Sequence, residues 1–279
     1  MPSKGEDGTT FTSSKQLLDS WEKFMTDKFA CADSPGVTYN PGLDQRLPEE
    51  DLIPREEFDE CVQALRSGKA PGWDGAPIEV YLASESAYNE LYRIVCLIWS
   101  SECIPEELVF VEFIMLYKKG SRDDFGNYRA IGLLCHSYKV LSVLILRRIQ
   151  PLLENILPDS QAGFREVRGC RDNVLILKTI INEMIRAGQK ALVTFIDYTA
   201  AFDSVSHRFI DESLAEAKAS PKVRRMVQAI YRSATGAVRI KRPSGEQVCS
   251  NKFHIQRGGT YSAHLSLLLL WTTYSGVMM

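Results

Sequence analysis

The sequence predicts an α+β fold, and three observations carry that reading. Apolar residues recur at helical spacing through several long stretches. Short runs of β-branched and aromatic residues stand between them. The two kinds of segment do not alternate in the strand–helix–strand rhythm of a doubly wound sheet. With 279 residues, 45% of them hydrophobic and 24% charged, the composition is that of an ordinary globular protein holding one large or two small domains.

The elements follow in chain order. Residues 1–16 are rich in Gly, Ser, Thr and Lys and are expected to be disordered. Leu17, Leu18, Trp21, Phe24, Met25 and Phe29 mark a short amphipathic helix, and a linker rich in Pro, Gly, Asp and Glu runs from Ala32 to Pro54. A helix from about Arg55 carries Phe58, Cys61, Val62 and Leu65 on one face, with Gly68 as its stop. The turn KAPGWDG (69–75) precedes a helix opened by Pro77, and Ser86 is placed to cap the next, to about Glu102. Val109 to Tyr117 reads as a strand, ending in the basic turn Lys118-Lys119-Gly120-Ser121. A long helix covers Ser137 to Asn155, with Pro151 expected to kink or end it. Asp172 or Asn173 is expected to cap a helix running to Gly188. Ala191 to Ile196 reads as a buried strand, being apolar and too short for a helix. Ser206 and Pro221 open two more helices, and a hairpin forms around residues 243–245.

Charge is uneven. Net charge is −2, but residues 1–117 carry 9 Lys/Arg against 22 Asp/Glu, whereas the remainder is basic in both of its parts. A basic body behind an acidic front suits a phosphate-binding surface with an acidic appendage. The seven cysteines are odd in number and none form a C-x-x-C pair, which argues against a disulfide framework or zinc site and for an intracellular, reducing compartment. No signal peptide is visible, and the longest strongly apolar run, Leu265 to Trp271, is far short of the ~20 residues of a membrane span.

The stretch FIDYTAAFDS (195–204) carries the chemistry. A carboxylate at the exposed end of a rigid strand is well placed to hold a divalent metal, which takes one or two protein carboxylates and leaves its other positions to water and phosphate. Plain structural roles also fit: Asp197 as a turn-former, Asp203 as a helix cap.

This stretch resembles motif A of reverse transcriptases, and four others agree in the family's order: KAPGWDG (69–75), KKGSRDDFGNYRAIGLL (118–134), YKVLSVLILRRIQPLL (138–153) and QAGFREVRGCRDN (161–173). The set is similar to the reverse transcriptase domain of non-LTR (LINE-type) retrotransposons, over about residues 55–258. The resemblance implies a right-hand polymerase in part: fingers over 55–190 and a partial palm with motif A over 191–258. Residues 1–54 stand before it, and 259–279 form an aberrant apolar tail. It implies that Asp197, with the Tyr198 carbonyl, is a ligand for Mg²⁺ in two-metal nucleotidyl transfer. Phe202 would be the steric gate against a 2′-hydroxyl, and Lys118 and Arg129 would grip the triphosphate. Gln161, Arg165 and Gly169 would lie along the template. RNA template, DNA primer and deoxynucleoside triphosphates are the implied partners, with no membrane.

The chain departs from the family in three places. Ala130 stands where Pro is usual. Motif B starts well at FHIQRGG, then has Tyr261 and Ser262 in place of Gln and Gly, and Leu267 in place of Pro. The Tyr-x-Asp-Asp of motif C does not occur in the sequence. The expectation is therefore a truncated, catalytically incomplete polymerase, with the residues after about Gly258 read out of frame. The competing readings are a non-catalytic nucleic-acid-binding or regulatory protein, and a metal-dependent hydrolase using Asp197 and Asp203; the scattered histidines weaken the last.

Overall fold

The computed structural model describes residues 2–5, 8, 10–30, 52–163, 165, 167–197, 203–241 and 244–257. Eight α-helices and five strands lie within them: α1 (Ser14–Phe29), α2 (Arg55–Gln63), α3 (Ile78–Leu82), α4 (Glu85–Ser101), β1 (Phe110–Tyr117), β2 (Tyr128–Leu133), α5 (His136–Glu154), α6 (Cys170–Arg186), α7 (His207–Glu216), α8 (Pro221–Arg232), β3 (Thr235–Lys241), β4 (Gln247–Cys249) and β5 (Phe253–His254). The fold is α+β around one mixed sheet. β1 pairs antiparallel with β2 and parallel with β3, and β3 pairs antiparallel with β4 and β5.

Side-chain alternation gives the sheet two unlike faces. On one, Phe113 and Phe253 stack with Phe29 of α1 at centroid distances of 5.6 and 6.4 Å, while Tyr128 lies edge-on to Trp21 at 5.2 Å. Gly236 sits on this face because a Cβ there would come within 2.6 Å of the Phe113 ring. Helix α5 carries Val140, Leu141, Leu144, Ile145 and Ile149 into the core and packs against α2, α4 and α8. Ion pairs tie the helices together, among them Arg148 to Glu57, Arg225 to Glu102, and Arg147 to Glu60.

Most expected helices form within a few residues of their expected ends. Ser84, not Ser86, caps α4, accepting from the Ala87 N–H. Gly169 caps α6, with the Asp172 carboxylate accepting its N–H. Pro151 lies inside α5, within one turn of its end, and does not terminate it. Strand β2 was not expected from propensity; it forms because β1 supplies a full ladder of partners from Glu112↔Leu133 to Tyr117↔Tyr128. Near the N-terminus, part of the stretch expected to be disordered is tied down: Lys4 bridges Thr10, and the Ser3 N–H and hydroxyl both donate to Asp123.

One expected element is corrected. Residues 191–197 have no strand and are exposed throughout; Leu192 keeps 95% and Phe195 84% of its surface. A strand needs a partner for its backbone groups, and among the described residues no strand pairs with 191–197. Among the described residues no helix is long and apolar enough to cross a membrane.

Candidate functional site

The β1–β2 hairpin brings two of the expected site residues together. Its register sets Leu116 opposite Arg129 and Tyr117 opposite Tyr128, and the Lys118 N–H donates to the Asn127 carbonyl at 2.8 Å. Opposed residues share a face, and so do residues two apart. Lys118 and Arg129 therefore stand on one face of adjacent strands, both exposed, beside the half-exposed Leu116. Tyr117 and Tyr128 turn to the other face, towards α1.

The loop joining the strands is held from within. The Asn127 side-chain amide donates to the Ser121 carbonyl, the Asp124 carboxylate accepts from the Gly126 N–H, and the Tyr128 hydroxyl donates to the Arg122 carbonyl. Gly120 has φ +93, and a Cβ there would lie 2.6 Å from the Asn127 side-chain nitrogen, so both conformation and space call for glycine. Lys118 and Arg129 are thus presented from a braced turn.

The same face continues onto β3. Arg239 lies beside Ile114, and Lys241 follows on the same side, exposed. Arg239 donates to the buried Glu112 carboxylate at 2.8 Å, and Cys249 closes on the other Glu112 oxygen at 3.8 Å. Four cations thus share a face with one carboxylate. Arg239 and Lys241 did not figure among the expected site residues. The alternation Val238-Arg239-Ile240-Lys241, apolar then basic, was the available signal.

Gln161 and Arg165 are turned inward. Gln161 is buried and donates to the Gly163 carbonyl at 3.0 Å. Arg165, only 7% exposed at its side chain, grips Glu154 at 2.8 Å and the Pro158 carbonyl at 2.8 Å. Arg165 ties the segment to Glu154 at the end of α5, the Gln161 side-chain bond lies within the segment, and Gly169 opens α6.

Asp197 is exposed, in a segment without regular structure; Tyr198 and Phe202 lie outside the described residues. Asp203 is not a helix cap. Its carboxylate pairs with Lys28 of α1 at 2.7 Å, while the Ser206 hydroxyl caps α7. Further bonds hold the same place: the Arg257 side-chain Nε donates to the Lys28 carbonyl, the Gln256 N–H to the Phe29 carbonyl, and Ser206 bridges Arg257. Among the described residues no group of three or more His, Cys, Asp and Glu could hold a metal ion. The donors among the described residues do not by themselves make up a two-metal centre.

The family model for reverse transcriptase (RNA-dependent DNA polymerase) matches residues 117–270, more than half of the chain. An uncharacterised 149 kDa protein of transposon TX1 from Xenopus laevis is 23% identical over 84% of this chain and 19% of its own length. An RNA-directed DNA polymerase from mobile element jockey of Drosophila funebris is 30% identical over 56% of this chain and 18% of its own length. A Pol polyprotein from type-1 retrotransposable element R2 of Popillia japonica is 23% identical over 74% of this chain and 27% of its own length. The chain thus spans about a fifth to a quarter of the length of these relatives. The family match continues twelve residues past Gly258, which opposes the expected change of reading frame at that point.

Proposed function

The chain belongs to the reverse transcriptase family, in its non-LTR retrotransposon branch, and on that premise we propose that the open face of its β1–β2 hairpin is the fingers surface that holds phosphate groups of nucleotide and template. The observation that carries the reading is the placement of Lys118 and Arg129 side by side on one exposed face. Arg129 offers a planar fork that can bind two phosphate oxygens at once, and Lys118 a compact point charge. Arg239 and Lys241 extend the cationic face towards β4, and the partly buried Ile131 and Leu133 give it some apolar ground for sugars and bases. On this reading residues 55–190 are fingers, and 191–258 begin the palm.

The family's nucleotidyl transfer uses divalent metal, and Asp197 would offer one carboxylate to Mg²⁺. Phe202, five residues on, would bar a ribose 2′-hydroxyl from the nucleotide site. Nothing in the 279 residues supplies the paired carboxylates of a Tyr-x-Asp-Asp, so these residues tested by themselves should bind primer–template without extending it. A longer protein that contained them together with a motif C would have the missing ligands.

Retention of an RNA–DNA hybrid by the 279-residue polypeptide, measured across a salt series, tests the surface. Log affinity should fall linearly with log salt. Lys118→Ala and Arg129→Ala should each reduce the slope by about 0.7–0.9, whatever the hybrid's sequence. Both side chains are exposed, so melting temperature should not move. Salt-insensitive binding, or slopes unchanged in both variants, would overturn the proposal.

A further inference from the structure

Arg239 differs from the other cations on the open face of the sheet. Lys118, Arg129 and Lys241 are exposed, and among the described residues none of them is paired with a carboxylate. Arg239 keeps only 22% of its side-chain surface, and its Nη1 donates to Glu112 Oε2 at 2.8 Å. The register builds this contact. Glu112 lies opposite Ala237 and Ile114 opposite Arg239, so the arginine reaches back over one two-residue step on the same face. Cys249, opposite Arg239 on β4, brings its thiol to the other Glu112 oxygen at 3.8 Å. The Glu112 side chain is 10% exposed, enclosed by three strands. It stands in the otherwise apolar strand FVEFIMLY, where a carboxylate costs stability unless it is paired.

Two opposing effects decide what Arg239 can do for a phosphate. To take a phosphate oxygen in place of Glu112 it must leave that carboxylate mostly buried and unpaired, and breaking such a pair is strongly destabilising. A single phosphate contact returns only the release of about one counter-ion. The pair therefore holds when nucleic acid arrives.

We propose that Glu112 sets how many phosphates this face binds. Its carboxylate occupies the Arg239 guanidinium where a phosphate would otherwise sit, and Lys118, Arg129 and Lys241 carry the binding. The inference rests on the fingers reading given above. It assigns Glu112 a role in affinity: without its charge, the same sheet offers a fourth working cation.

The test is retention of an RNA–DNA hybrid by the 279-residue polypeptide across a salt series. Glu112→Gln keeps the size of the side chain and removes its charge. It should steepen the slope of log affinity against log salt by about 0.7–0.9, which is a five- to eightfold gain in affinity at about 0.1 M salt. Adding Arg239→Gln to it should cancel that gain. The double variant leaves neither charge in the sheet and covers the case in which Glu112→Gln alone does not fold. Its slope should exceed that of Lys118→Ala by about 0.7–0.9. A slope equal to that of Lys118→Ala would show Arg239 already engaged with phosphate and overturn the proposal. So would a folded Glu112→Gln variant whose slope is unchanged or shallower. Lys118→Ala separates this failure from failure of the face itself: where that variant also leaves the slope unchanged, the fingers reading falls, and this inference with it.

Discussion

Glu102 should be among the most sensitive single positions in the chain. It ends α4 in the left-handed region, at φ 55, with its N–H donating to the Ile98 carbonyl. Its carboxylate takes Arg225 at 2.7 and 2.9 Å and Lys222 at 3.2 Å. The Lys222 side chain is 2% exposed and that of Arg225 11%, and the Lys222 ammonium lies over the Trp99 ring at 5.7 Å. Burial pushes the Glu102 carboxyl up, but the hydrogen bonds from Arg225 and Lys222 outweigh it and hold the carboxyl below its ordinary value of 4.5. Glu102→Ala removes the carboxylate that neutralises two buried cations and should cost about 3–5 kcal/mol. Glu102→Gly should cost roughly 1 kcal/mol less, because glycine takes the left-handed conformation without a Cβ clash. Urea unfolding followed by tryptophan emission measures both. Since the folded-state pKa is depressed, the stabilisation is present above pH 4.5 and fades as pH falls through the folded value. The gap between wild type and Glu102→Ala should therefore narrow in acid. A loss under about 1 kcal/mol at pH 7, or a gap that widens in acid, would refute the reasoning.

Three further outcomes are expected. Trp21→Ala empties a fully buried site between the Phe125 and Tyr128 rings and should cost about 3–5 kcal/mol by urea unfolding, although α1 lies before the family match. In Gly72→Ala the new Cβ would lie 2.5 Å from the Cys135 backbone nitrogen, where only a backbone shift can make room, and the melting midpoint should fall by the equivalent of about 1–3 kcal/mol. Asp197→Asn should change stability by no more than about 0.5 kcal/mol, since the residue is exposed and outside regular structure; a larger loss would mean that Asp197 is engaged in the fold.

Helices were the readable part of this fold because their signals are local. The stripe of Val140, Leu141, Leu144, Ile145 and Ile149 names its own buried face, and Ser206 and Pro221 start their helices within the residues they stand in. Sheet order was not readable. β1 and β3 are parallel neighbours more than a hundred residues apart, and nothing near either strand records the other. Strand β2 contains a glycine and an arginine within six residues, so its propensity is weak; its ladder with β1 decides the matter.

Motif resemblance and local geometry carried different parts of the site. Resemblance singled out Lys118 and Arg129, and the hairpin register then put them on one face, which no motif specifies. For Gln161 and Arg165 the same resemblance suggested contact with template; here the Gln161 side-chain nitrogen donates to Gly163, and the Arg165 guanidinium donates to Glu154 and Pro158. Ala191 to Ile196 shows the opposite limit. Its apolar run satisfies every local criterion for a buried strand, yet burial requires a surface to lie against, and that surface is a property of the whole fold. An apolar pattern states what a segment can bury, and only the arrangement of its neighbours states what it does bury.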